Sequence, residues 1–333
     1  MSTQAERPTI SVIIPAYNAA HLLERVLAPL IAALERHEID EIVVVDDAST
    51  DELAGYIARY PFVKTVRTEQ QSGPAAARNR AAQHASGEIL WFVDADVIVA
   101  DDSARIVGRS FTAHAIVAVM GTYDDTPPAP NFLSQYKNLV HHFYHQHARV
   151  EASTFWAGCG AVRKSAFLAI DGFDARTYRY PSIEDIDLGY RLRDAGGIIR
   201  LDRSLQGKHL KVWRLGNLLH TEIFRRAIPW SKLMLRRGAL TNDLNIDFAE
   251  RVRAVLVIML LIATLCAVTG LVSWWIPGGL FALDVIASRT ILSFFFTARG
   301  FMFMARAHLM HRVYYVYSSV AFAVAWLTVT LGG

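Results

Sequence analysis

Residues 89–97 read ILWFVDADV. Five apolar residues run without a break and stop at Asp94, two positions before Asp96. An uninterrupted apolar run of this length marks a strand covered on both faces, as in a parallel sheet flanked by helices. The same pattern recurs at Thr9–Ile14, which ends at Pro15, and at Glu41–Val45, which ends at Asp46-Asp47. Helical spacing of apolar residues fills the intervals: Leu22–Leu34, Leu53–Ala58, and an Ala-rich stretch Gly73–Ser86 opened by Pro74. Pro suits an early helical position because its missing N–H has no partner there. A short strand is expected at Val63–Arg67. Strands alternating with helices predict βαβ units and a mostly parallel, Rossmann-like sheet. In such sheets ligands bind beyond the carboxyl ends of the strands.

Polar clusters stand at those ends. Asp94 and Asp96, at i and i+2, can reach one hard cation and the diphosphate it neutralises; an acidic loop capping the next helix is the competing reading. Asp46-Asp47-Ala48-Ser49-Thr50 offers a carboxylate for the imide N–H of a base, while Ser49 and Asp51 are expected to cap a helix. Neither G-x-G-x-x-G nor G-x-x-x-x-G-K-[ST] follows the first strand, so the usual dinucleotide and ATP loops are absent from the sequence. Further along, Glu184, Asp185 and Asp187 precede an amphipathic run. They fit a general base for a hydroxyl acceptor and an acidic helix N-terminus equally well. Gly158 and Gly160 around Cys159 allow a close backbone approach to a ligand, or simply a tight turn. His141, His142, His145 and His147 have the i, i+4 spacing of a zinc site, but an amphipathic or interfacial helix is the better expectation. His209, between Lys208 and Leu210, is a possible third metal ligand.

The 333 residues are 53% hydrophobic, and mean hydropathy is +0.23, high for a purely soluble protein. Disordered, collagen-like and disulfide-stapled classes are excluded; Cys159 and Cys266 are the only cysteines. Charge is segregated. Residues 1–202 carry a net −7, residues 203–238 nine basic side chains against Glu222, and residues 251–333 six Arg against Asp284. An acidic front, a basic belt and an apolar tail do not suit a nucleic-acid binder; they suit a domain held at an anionic membrane face. Residues 254–273 contain no charged side chain, and neither do residues 313–331. Each is long enough to cross about 30 Å of hydrocarbon. Tyr314, Tyr315 and Tyr317 resemble an interfacial belt, as do Trp274 and Trp275. A third span is expected over 274–290, provided Asp284 and Arg289 pair or face other helices, with an interfacial helix over 291–312. Basic flanks at Arg251, Arg253, Arg306 and Arg312 predict a multi-pass inner (plasma) membrane protein with residues 1–250 cytoplasmic.

Taken in order, SVIIPAYNA (11–19), VVVDDAST (43–50), GPAAARNRA (73–81), WFVDADV (91–97), GCGAVRKSAF (158–167), DGFD (171–174) and EDIDLGYRLRDAG (184–196) resemble the family 2 inverting glycosyltransferases, which have the GT-A fold. The resemblance implies a catalytic domain at 1–202, a basic amphipathic segment at 203–250 that completes the active site, and a membrane domain at 251–333. It implies that Pro15, Ala16 and Asn18 line the nucleotide site, that Asp47 with Asp46 binds the base, and that Arg78 and Asp94 sit near the donor. Asp96, with Asp94 and His209, would hold Mg²⁺ or Mn²⁺. Asp185 would be the base, with Glu184 toward the acceptor; Gly158, Cys159, Gly160 and Trp230 are assigned to the acceptor. Processive members carry (Q/R)-x-x-R-W, and here Arg226-Ala227-Ile228-Pro229-Trp230 has Pro in place of the Arg. The expectation is therefore transfer of one sugar from a nucleotide-sugar donor, UDP-sugar favoured, to a lipid or lipid-linked glycan. A non-catalytic nucleotide-sugar sensor or scaffold is the alternative.

Overall fold

The structure, a computed structural model, describes residues 7–238 and 244–331. It divides into two compact units, residues 1–212 and 213–333.

The first unit is built on nine strands: β1 (Ile10–Ala16), β2 (Glu41–Asp46), β3 (Lys64–Arg67), β4 (Ile89–Val93), β5 (Val97–Val99), β6 (Ile116–Tyr123), β7 (Glu151–Ala152), β8 (Cys159–Arg163) and β9 (Ile198–His209). Their order is β3-β2-β1-β4-β8-β6-β9-β5, with β7 also on β9. The first four are parallel. β8 then runs antiparallel between β4 and β6, and β5 and β7 join β9 antiparallel. The sheet is thus mixed rather than mostly parallel, because the second half is laced together by β8 and the long β9. Seven helices surround it: α1 (Ala20–Glu35), α2 (Leu53–Ile57), α3 (Pro74–His84), α4 (Ser103–Ser110), α5 (Phe132–His147), α6 (Lys164–Ala169) and α7 (Glu184–Asp194).

Alternation along β1 explains the two-sided core. Ile10, Val12 and Ile14 enter one apolar cluster with Leu23 and Leu27 of α1. Ile13 enters the other, with Ala77 and Ala81 of α3. Trp91 and Phe92 of β4 point to opposite faces and are both fully buried, each contributing about 1.5–3 kcal/mol by removal from water. Phe92 packs edge-on against Phe155 and Phe173.

β9 crosses position 202, so the boundary expected there is displaced: the strand pairs Val97 with His209 and the first unit ends at Val212. The expected 203–250 segment accordingly splits. Its first ten residues belong to the sheet unit, and residues 239–243 lie outside the described residues.

The second unit begins with α8 (Leu215–His220), a π-helical stretch over Thr221–Ala227, and α9 (Ile228–Arg237). Pro229, which has no N–H to give, falls in the first turn of α9, just after the wide turns. Then follow α10 (Phe248–Val268), α11 (Trp275–Ala287), α12 (Arg289–Arg299) and α13 (Phe301–Leu331). α10 and α13 are long and apolar enough to cross a membrane; α11 and α12 form a pair bent by 67°. At 1.5 Å per residue α11 covers only about 20 Å, so the span expected over 274–290 is short by itself. The interfacial helix expected over 291–312 is not one element. The chain breaks at Gly300, whose φ of +80° is a glycine conformation, and residues 301–312 continue into α13. Arg312 is tolerated there because it reaches back to Asp284 of α11 at 2.8 Å, beside His308. Trp274 and Trp275 are exposed, as a belt requires, whereas Tyr315 is buried and donates to Glu250 at 2.6 Å. Tyr315 is therefore a packing residue, not part of a belt.

Candidate active site

The carboxyl ends of β1, β2 and β4 bring the first three clusters together. Asn18, at φ +51°, accepts from the Thr50 N–H at 2.8 Å, while its own N–H donates to Ser49 Oγ at 3.0 Å. These bonds tie the turn after Pro15 and Ala16 to the turn after β2. Asp46 is buried, pairs with Arg67, and accepts from the Ser49 N–H at 2.8 Å. Asp47 accepts from Ser72 Oγ at 2.6 Å, the Ser72 N–H at 2.9 Å, Thr68 Oγ1 at 3.0 Å and the Gly73 N–H at 2.8 Å. Both carboxylates fix these turns through the chain's own donors.

Arg78 is the centre of the site. Its position on α3 buries it beneath the turn after β4, where it donates to Asp94 Oδ1 at 2.6 Å and Glu184 Oε1 at 3.2 Å. Burial alone would lower its pKa, but Asp94, Glu184 and Asp185 more than compensate and raise it. The guanidinium stands over the Phe173 ring at 5.4 Å. Arg78 thus joins the strand-end acids to the start of α7. Glu184 is buried against Arg78 and also accepts the Ser182 N–H at 2.8 Å. It is committed to holding α7 rather than turned toward an acceptor. Asp187 pairs with Arg191 one turn on, at 2.8 Å. Asp185 accepts the Ala157 N–H at 3.2 Å, which fixes its carboxylate at the end of the 154–157 segment. Of three acids that looked equivalent in sequence, only Asp185 combines partial exposure with a position beside the glycine-rich turn.

Those glycines act differently from expectation. Gly158, Cys159 and Gly160 are all buried, Cys159 on β8 opposite Val93. A Cβ at 158 would sit 2.5 Å from the Trp156 ring, and one at 160 only 2.3 Å from the Trp156 carbonyl. They therefore make room for Trp156 and do not themselves line an acceptor site. Burial pushes the Cys159 thiol up to about 12. Trp230 lies on α9 of the second unit.

Asp96 and His209 face each other, Oδ2 to Nε2, at 3.4 Å. Burial would raise the Asp96 carboxyl, but His209 and the charge of Lys211 hold it below the usual carboxylate range. Its side chain keeps 28% exposure. One carboxylate and one imidazole at a pocket edge fit a hard divalent ion that takes its other ligands from phosphate and water. No group of three or more His, Cys, Asp or Glu gathers among the described residues, so the expected trio of Asp96, Asp94 and His209 is not brought together: Asp94 turns to Arg78 instead.

A ring stack that sequence reasoning missed supports His209. Tyr123 lies parallel to the imidazole at 4.3 Å, with His141 behind it at 4.3 Å and Trp156 edge-on at 4.7 Å. His141 in turn stacks on His145, whose Nδ1 meets the Gly121 carbonyl at 2.9 Å. His141, His142 and His145 are thus packing partners of β6, His147 bonds the Phe143 carbonyl within α5, and the four do not converge as a zinc site among the described residues. Alternating rings on β6, α5 and the 154–157 segment would have been the only clue.

Residues 11–170 match the family model described as glycosyl transferase family 2. Validoxylamine A glucosyltransferase of Streptomyces hygroscopicus subsp. jinggangensis is 29% identical over 239 residues, which is 60% of this chain and 55% of that protein. The succinoglycan biosynthesis protein ExoU of Rhizobium meliloti is 38% identical over 99 residues, 28% of each chain. The chain thus spans about half the length, or less, of the curated relatives it matches. Mannosyltransferase PcManGT from Pyrobaculum calidifontis, solved with GDP-Man and Mn²⁺, shares the fold with a TM-score of 0.57 at 19% identity, over 96% of this chain and 88% of that one. The strand-end acids, the buried arginine and the α7 carboxylates therefore stand on a GT-A framework, and residues 11–170 form a glycosyl transferase family 2 domain.

Proposed function

We propose that the protein is an inverting transferase that moves one sugar from a nucleotide-diphosphate sugar, UDP-sugar favoured, to a hydroxyl of a membrane lipid or lipid-linked glycan. The observation that carries this reading is Arg78, which couples the Asp94 turn to the helix that presents Asp185. The turns after β1 and β2, with Pro15, Ala16, Asn18, Asp46 and Asp47, form the nucleotide wall. Asp96 and His209 would hold the divalent ion, while Asp94 is held by Arg78. Bound there, Mg²⁺ or Mn²⁺ would neutralise charge growing on the departing diphosphate. Asp185 accepts the proton of the acceptor hydroxyl as its oxygen attacks the anomeric carbon opposite the leaving group. Trp156 offers a face for a sugar ring, and Trp230 remains a candidate for the acceptor. Apolar helices α10 and α13 support membrane anchoring, and the basic residues at the start of α10 favour a multi-pass arrangement with the catalytic unit cytoplasmic.

Nucleotide release by detergent-solubilised protein tests this, over UDP-, GDP- and dTDP-sugars with Mn²⁺, with and without membrane lipids. Lipid-dependent release from one donor, lost in Asp96→Ala, is the expected result. Donor binding without release under any lipid extract would leave a sensor. Asp185→Asn separates acceptor types: a hydroxyl acceptor loses turnover, whereas a phosphate acceptor, already ionised, retains it.

A further inference from the structure

The second unit contains a cavity with two unlike walls. α10, α11 and the start of α12 border an open cleft of about 380 Å³. Leu256, Leu283 and Ile286 form an apolar side; Arg253, Arg289 and Thr290 form a polar one. Leu283 and Ile286 are each more than half exposed, so the apolar side opens to the surroundings of the helices.

The charges around it do not cancel. Arg253 is pinned, donating to the Ala287 carbonyl at 2.9 Å and pairing with Glu250. Glu250 is buried and also receives the Tyr315 hydroxyl. Asp284, the nearest acid along α11, is fully buried and turned to Arg312 and His308 of α13. Arg289 is exposed and has no ion-pair partner among the described residues. One positive charge is therefore left over at the polar wall. It stands where the start of α10 meets the end of α11, at one end of a helix apolar enough to cross a membrane. Headgroups lie at that level, and basic pockets between such helices suit anionic heads.

We infer that this cavity binds an anionic glycerophospholipid. Arg289, with Arg253 and the Thr290 hydroxyl, takes the phosphate, and one acyl chain runs along Leu256, Leu283 and Ile286. A polyprenyl phosphate offers the same pairing of phosphate and apolar chain. The single surplus charge matches a phosphodiester better than a monoester, which approaches two negative charges at neutral pH.

The test uses the full chain in neutral detergent, titrated with short-chain phosphatidylglycerol, phosphatidylcholine and a short polyprenyl phosphate, read by native mass spectrometry. Phosphatidylglycerol should bind about fivefold more tightly than phosphatidylcholine, and Arg289→Glu should abolish the difference while Arg289→Lys keeps most of it. An unchanged lipid-free melting temperature shows that Arg289→Glu is folded; should it not fold, Ile286→Trp, which fills the apolar wall, must lower phosphatidylglycerol binding instead. Equal binding of the two phospholipids, or an undiminished preference in Arg289→Glu, overturns the proposal. Displacement of phosphatidylglycerol by equimolar polyprenyl phosphate overturns the assignment to a bulk phospholipid.

Discussion

Two acid pairs close the strands on either side of β1, Asp46-Asp47 at the end of β2 and Asp94-Ala95-Asp96 after β4, and the structure uses them in opposite ways. The first pair faces inward to the chain: Arg67, Ser49, Thr68, Ser72 and Gly73 supply its partners. The second is left partly exposed, with Asp94 on Arg78 and Asp96 on His209. A carboxylate after a strand is thus ambiguous until its donors are counted. Where the chain provides them the acid organises a loop, and where it provides few the acid is available to a ligand.

Mutations should separate the two roles. The largest effect is expected for Asp96→Ala: nucleotide release falls by about 10²–10³-fold with the melting temperature nearly unchanged, as scanning calorimetry would show. A large stability loss there would erase the contrast. Arg78→Leu should cost about 3–5 kcal/mol in denaturant unfolding, because it strands Asp94 and the buried Glu184 without a counter-charge. For Asp47→Ala, about 1–3 kcal/mol is expected, with donor affinity weakened as the 68–73 loop loses its anchor; Asp47→Asn should recover part of the stability but not all, since an amide can accept at only one oxygen. Glu41 sharpens the comparison through pH. Burial pushes its carboxyl up, yet Lys64, Ser11 and Ser86 hold it down at about 2. Its folded pKa is depressed, so it stabilises the first unit above the ordinary value of 4.5, and that stability is lost as pH falls from about 4.5 toward 2. The loss should be about 2 kcal/mol after allowance for the exposed Lys64, and absent in Glu41→Gln. The smallest effect tests the ring stack: Tyr123→Leu should weaken Mn²⁺ binding about tenfold, measured by electron paramagnetic resonance, with Tyr123→Phe close to the parent.

How much of this was legible in the sequence depends on the range of the interaction. β1, β2 and β4 are readable because burial on both faces demands unbroken apolar runs, and Pro74 announces the start of α3. β9 was not, because LDRSLQGKH alternates polar residues that face solvent with residues that face the sheet. The D-x-D was visible as a local spacing. The commitment of Glu184 to Arg78, the stacking of His209 on Tyr123, and the neutralisation of Arg312 by Asp284 join residues 106, 86 and 28 positions apart. No local pattern encodes such pairs. Gly158 and Gly160 misled for the same reason: a small residue shows that something comes close, and only the structure identifies it as Trp156.

Arg78 also has a consequence for the order in which the molecule forms. Its partner Asp94 is 16 positions away and can be met as soon as the first four strands collapse; Glu184 is 106 positions away. Closing the longer loop has the greater entropic cost and comes later. Until α7 docks, the arginine has one counter-charge of two, and Asp185 is not yet held beside the 154–157 segment. A nascent or truncated chain can therefore form the turns after β1, β2 and β4 before α7 is in place, and under the proposed function it would gain its base only when the fold is nearly complete.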